Sequence, residues 1–223
     1  MNTFTIQQNI FTTRHSPISV TDCPEEVLTP QQLGNFLKTV TVGGHIGLAP
    51  VYDAKCRLHK LAMATASQVL LITLSPKSSK KSKKTLVRLA LENMFSNPGV
   101  IAYAFKMHYV AAALFLDHGI HLVAGKHLLS ASPRKQLDGL LAALGEGRGV
   151  ALVKNNIIDL FQNEESSTNK PKTTALQAWA AYQAATMRQT CAPVLQLPVI
   201  NTLVIDTKVC INLYLQLREW SFS

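Results

Sequence analysis

Apolar positions in the first third of this chain form short runs, and later ones fall into helical stripes. Leu33, Phe36, Leu37 and Val40 recur at helical spacing behind Thr29-Pro30-Gln31-Gln32, an N-cap followed by proline at the first helical position. Gly43-Gly44 closes that helix. Three strand-like pieces follow: Ile46 to Val51, ending at Tyr52-Asp53; Leu58 to Ala64; and Val69 to Leu74, which is apolar on both faces as a buried central strand is. The short gaps between them suit antiparallel hairpins.

Beyond Leu74 the pattern lengthens. Leu86, Leu89, Ala90, Met94 and Phe95 mark a helix stopped by Asn97-Pro98-Gly99. Val100 to Phe105 reads as a strand, His108 to His118 as a helix ending at Gly119, and Ile120 to Ala124 as a further strand. Ser132-Pro133 opens a helix through Leu137, Leu140, Leu141 and Leu144. Val150 to Phe161 is another apolar helical segment, and Thr173 to Met187 has neither Gly nor Pro and predicts a helix. Pro193 and Pro198 then break the chain. Leu203 to Trp220 predicts a packing helix, although the alternation of Ile211, Leu213, Leu215 and Leu217 also allows a strand. Residues 1–20, polar and rich in Thr and Gln, read as a loose or strand-like lead-in to one domain over 21–223. Three antiparallel strands followed by alternating helix and strand, then helices, is the order of an α/β sheet domain.

Two polar stretches interrupt the apolar pattern. Asn163 to Thr174 carries Glu164, Glu165, Lys170 and Pro171 and reads as a loop. The segment 75–84 holds Lys77, Lys80, Lys81, Lys83 and Lys84 with no acid. It reads as an exposed basic loop: a solvated charge run, a set of phosphate contacts or an import signal. The whole chain agrees in sign, with 22 Lys and Arg against 13 Asp and Glu and a net charge of +9. In a well-cored chain of 223 residues and 47% hydrophobic content, that excess points to a polyanionic partner, nucleic acid before an acidic membrane.

Cys23, Cys56, Cys191 and Cys210 are widely spaced, as reduced thiols are, and Cys56-Arg57-Leu58-His59 lacks the second ligand pair a zinc site needs. With no apolar signal-like start and no 18-residue apolar run, the expectation is an intracellular protein, cytoplasmic or nuclear, without a membrane partner.

Candidate chemistry enters with Trp179-Ala180-Ala181-Tyr182-Gln183-Ala184. An aromatic residue, two alanines and a polar residue in this order resemble the third motif of the ribonuclease D-like DEDD 3'-5' exonucleases, Tyr-Ala-Ala-x-Asp-Ala. Gly47-Leu48-Ala49-Pro50-Val51 is similar to the place of their Asp-x-Glu motif, and Ala104 to Ala111 to that of their second motif. The resemblance covers roughly residues 19 to 190. It implies a DnaQ-like (ribonuclease H-like) fold, a mixed five-stranded sheet flanked by helices. In that family four carboxylates hold two divalent metals, one making hydroxide from water and the other stabilising the leaving oxygen. The matching positions here are Ala49, Val51, Val110 and Gln183. None supplies the charge that hard cations require, so no metal, no cofactor and no catalytic residue is expected.

Asp53, Asp117, Asp159, Glu164 and Glu165 are the acids nearest to those places. Asp117, seven residues beyond Val110, lies about 10 Å along a helix from the required position.

The resemblance therefore implies a pseudo-exonuclease: a single-stranded RNA-binding adaptor in RNA metabolism or an RNA-silencing complex, with homodimerisation an open alternative. Its RNA contacts would be Lys77, Lys80, Lys81, Lys83 and Lys84, with Arg57, Lys60, Lys106 and Arg134 as weaker candidates and His108 and Tyr109 facing the former cleft. The rival reading is a protein–protein scaffold without nucleic acid, in which the C-terminal stretch 203–220 is the contact surface.

Overall fold

The computed structural model describes residues 1–7, 10–13, 15–75, 85–134, 136–162, 170–205 and 211–212. Its strands are β1 (Asn2–Ile6), β2 (Ile18–Pro24), β3 (His45–Tyr52), β4 (Leu58–Ala64), β5 (Gln68–Thr73), β6 (Ile101–Ala104) and β7 (Gly125–His127). Its α-helices are α1 (Pro30–Gly43), α2 (Leu86–Ser96), α3 (Met107–His118), α4 (Gln136–Ala143), α5 (Lys154–Gln162), α6 (Lys170–Thr186) and α7 (Cys191–Leu195). The strands form one mixed sheet in the order β1-β2-β5-β4-β3-β6-β7. β3, β4 and β5 are antiparallel, β6 and β7 run parallel to β3, and helices cover both faces.

β3 to β7 form the mixed five-stranded sheet expected, and β1 and β2, largely from the N-terminal lead-in, add two more strands. β2 pairs parallel with β5, and β1 folds back antiparallel on β2, so the lead-in is strand and belongs to the sheet.

Strand alternation divides the core. Leu61, Met63, Leu70 and Ile72 pack with Leu33, Val87, Leu91, Val110 and Leu114, on the face covered by α1, α2 and α3. Ala62, Ala64, Val69 and Leu71 pack with Leu140, Leu144, Ile157, Ala178 and Trp179, on the face covered by α4, α5 and α6. Two helices are buried over most of their central turns. Along α6 the residues Thr174, Ala175, Gln177 to Ala181, Ala184 and Ala185 are all buried, as are Val110 to Leu114 in α3. A helix that is apolar all round packs on every side.

Local signals set the helix ends. Thr29 accepts from the Gln32 backbone while the Gln32 side chain accepts from Thr29 N, a complete capping box. Gly44 and Gly119 close α1 and α3 in the left-handed conformation.

Two predicted elements move. Ile120 and Leu122 are buried in alternation like a strand, yet the ladder with β6 begins only at Gly125, opposite Ala102. A Cβ at position 125 would sit 2.7 Å from Leu122 Cδ2 and 3.0 Å from Met107 Cγ, so a larger residue there would have to displace those side chains. Residues 150–153 are extended rather than helical, because the N-terminal segment holds them. Thr12 N donates to Ala151 O and Val153 N to Ile10 O. Helix α6 begins at Lys170, earlier than predicted, with Pro171 in its first turn. Most of the stretch 203–220 lies outside the described residues, and no helix among them is long and apolar enough to cross a membrane.

Candidate functional site

The resemblance puts the family's first and third motifs where β3 meets α6. Gly47 makes that meeting possible. A Cβ on it would lie 2.1 Å from Ala178 O, 2.5 Å from Tyr182 N and 2.9 Å from Tyr182 Cβ, so the helix backbone rests directly on the strand. Two residues on, Ala49 is 4% exposed and packs into the same cluster as Ala178, Ala180 and Ala181. Trp179 is fully buried, its Nε1 donates to Ala66 O at 2.9 Å, and its ring meets Phe11 and His15 edge-on. A buried indole with its N–H satisfied is a packing anchor. Gln183 follows, half-buried, one residue beyond Tyr182.

Val51, also half-buried, shares the α6 face by alternation with Ala49. Val110 does not join them: it is fully buried in the α1–α3 cluster, on the opposite face of the sheet.

The neighbouring acids are engaged elsewhere. Asp53 Oδ1 accepts from Lys55 N and Arg57 N, and its Oδ2 from Arg57 Nε and Nη2, at 2.8–2.9 Å. Burial pushes the Asp53 carboxyl up, but these bonds and the guanidinium outweigh it and hold it below its ordinary range. Asp117 Oδ2 accepts from Leu58 N. Among the described residues no three His, Cys, Asp or Glu side chains converge.

The predicted cationic contacts scatter. Arg57 is tied to Asp53, and Lys60 sits 3.2 Å from both oxygens of Asp22. Lys106 is exposed at the N-cap of α3 with no side-chain cap. Arg134, 59% exposed, approaches Glu146 at 4.0 Å. Lys77, Lys80, Lys81, Lys83 and Lys84 lie outside the described residues, but the ends of their segment are fixed. Glu25 accepts from Ser75 N, Thr85 Oγ1 and the Arg88 guanidinium, and Arg88 Nη2 also donates to Ser75 O. His118 places its ring nitrogens 3.1 Å from Ser75 O and 2.7 Å from Leu58 O. One buried network thus holds residues 75 and 85 of the basic segment together.

At the carboxyl ends of β6 and β7 the His108 and His127 rings meet edge-on at 4.7 Å. Burial first, then His127 and Lys106, pull the His108 pKa down to about 4. Burial lowers His127 as well. Both imidazoles are therefore neutral at physiological pH and present no fixed charge to a phosphate. The resemblance alone pointed to His108 and Tyr109, whereas the pairing of His108 with His127 needed β7 at its true register.

Neither a protein-family model nor a curated protein sequence matches the chain. Solved structures similar to it include the Aedes aegypti Nibbler EXO domain, at 13% identity and a TM-score of 0.49, covering 87% of this chain and 95% of that one. The EXD2 exonuclease domain soaked in Mn and dGMP is similar at 13% identity and a TM-score of 0.42, covering 74% of this chain and 86% of that one.

Proposed function

We propose that this chain is a non-catalytic, exonuclease-like RNA-binding adaptor, using single-stranded RNA as its ligand and protein partners for its assembly. The observation that carries the reading is the closed seam between β3 and α6. There Gly47 rests on the α6 backbone and Ala49 is buried in one cluster with Ala178, Ala180 and Ala181, where the resemblance calls for an open acidic pocket. Ala49, Val51 and Gln183 offer no negative charge to a divalent cation, and a hydroxide-generating metal needs oxygen-rich anionic ligands. The net charge of +9 supports a polyanionic ligand.

Phosphate contacts position the strand without reading its sequence, so the expected binding is salt-sensitive and tolerant of base composition. The test is a titration of labelled single-stranded RNA at several salt concentrations. Replacing Lys77, Lys80, Lys81, Lys83 and Lys84 together by Ala should weaken binding and flatten the dependence of log K on log salt. An unchanged slope would remove the segment from the interface.

A second reading rests on Leu195, Val199, Leu203 and Val204, all more than half exposed in one stretch of chain. Exposed apolar positions in such a group mark protein contacts. A scaffold with no RNA affinity would show no mobility shift at any salt and a partner- or self-association that replacing these four by Ser abolishes.

A further inference from the structure

The loop joining α4 to the extended 150–153 segment gathers cations that the resemblance does not assign. Lys154 Nζ lies 2.5 Å from Glu146 Oε1, and Arg134 Nη1 lies 4.0 Å from Glu146 Oε2. Arg148 stands two residues further along the same loop. Its Nη1 is buried with no hydrogen-bond partner, a state that a folded protein rarely leaves without a use. Two cations therefore share one carboxylate, with a third close by in sequence. The side chains of Arg134 and Lys154 are 59% and 60% exposed, so their charge is available to solvent.

The backbone of this loop adds donors. Gly145, Gly147 and Gly149 have φ of 103°, 77° and 79°, while Glu146 and Arg148 between them do not cross to positive φ. Glycine takes such positive φ at little cost. A Cβ at Gly147 or Gly149 would meet nothing within 4 Å, so the outer side of the loop is open to a ligand. The Gly145 and Glu146 N–H groups are spent closing α4 on Ala142 O and Leu141 O, and that of Arg148 on Gly145 O. Those of Gly147 and Gly149 meet no acceptor among the described residues.

We infer that the 145–149 loop with Arg134, Arg148 and Lys154 is a phosphodiester-binding site, a second contact for the RNA backbone distinct from the lysine segment. The inference rests on the RNA-binding reading and gives it a location. Guanidinium and ammonium groups beside open main-chain donors suit a phosphate oxygen and are indifferent to the base. Glu146 opposes the anion and holds Arg134 and Lys154 beside each other in the free protein.

The test uses the full chain and labelled single-stranded RNA, read by anisotropy across a salt series. The double variant Arg134→Ala/Lys154→Ala alters two exposed side chains, so its Tm should match the unaltered protein. Its salt slope should fall by about 1.4, the loss of two single-strand phosphate contacts. Arg134→Lys/Lys154→Arg should keep the slope, and Glu146→Gln should tighten binding several-fold on every RNA tried. Binding by the unaltered chain with no change of slope in the double variant overturns this site and leaves the RNA reading standing. No binding by the unaltered chain overturns both.

Discussion

Replacing Gly47 by Ala puts the β3–α6 contact to the test. The new Cβ would start 2.1 Å from Ala178 O and 2.5 Å from Tyr182 N, both main-chain atoms of α6 that cannot rotate away. Restoring ordinary contact at about 3.4 Å requires a separation of roughly 1.3 Å between strand and helix, which opens gaps around neighbours packed to crystal density. Trp179, Ala180, Ala181 and Ala184 are fully or almost fully buried, so the displacement is felt along the helix. Overpacking in a rigid core costs about 1–3 kcal/mol, and a backbone clash belongs at or above the top of that range. A loss of about 3 kcal/mol lowers Tm by roughly 6–12 °C in a domain of this size. Urea unfolding followed by far-UV circular dichroism should show a lower midpoint at unchanged m. Gly34→Ala is the matched control. It sits in α1 with nothing within 4 Å of its Cβ and should gain about 0.5–1 kcal/mol from helix propensity. If Gly47→Ala lay within about 0.5 kcal/mol of the unaltered protein, α6 would not rest on β3, and the closed seam would lose its support.

Other perturbations read other parts of the molecule. Glu25→Leu leaves Arg88, whose side chain is 10% exposed, without its carboxylate and should cost about 3–5 kcal/mol by denaturant unfolding. The double change Glu25→Leu/Arg88→Met should recover most of that loss, and no recovery would mean the pair is not the cause. His108 has a folded pKa of about 4, below the 6.5 of an unfolded imidazole, so the unfolded chain takes up the proton first as pH falls. Its contribution is therefore neutral above about pH 6.5, and as pH falls towards 4 it withdraws up to about 3 kcal/mol of stability. His108→Gln should flatten stability against pH across that window, and an unchanged slope would refute the burial argument.

Much of the fold can be read in the chain because local signals coincide with the packing. Thr29, Pro30 and Gln32 spell a capping box that the structure completes, and the alternation of Leu61 to Ala64 and Val69 to Ile72 divides as written between two faces. What could not be read depends on distant segments. Residues 150–153 look helical until residues 10–12 bond to them, and Ile120 to Ala124 looks like a strand until Gly125 sets the ladder.

The candidate site divides in the same way. The alanine-rich helix, and the uncharged residues at the places where the resemblance would put carboxylates, are visible in Trp179 to Ala184, Ala49 and Val51. Gly47 as a contact point, and Val110 on the other face, are consequences of register and crossover. The Gly145 to Gly149 repeat is plain in the sequence. Its cations Arg134 and Lys154 lie on either side of it, 12 and 8 residues from Glu146, and meet only once α4 and α5 are folded.

One gel decides whether this chain binds RNA without cutting it. Labelled single-stranded RNA is incubated with the protein and Mn²⁺ at several salt concentrations, then run under native and denaturing conditions. The account predicts RNA of full length that is shifted at low salt and released at high salt. A shortened ladder, suppressed by chelator, would contradict it by showing that carboxylates elsewhere in the chain assemble a working metal site.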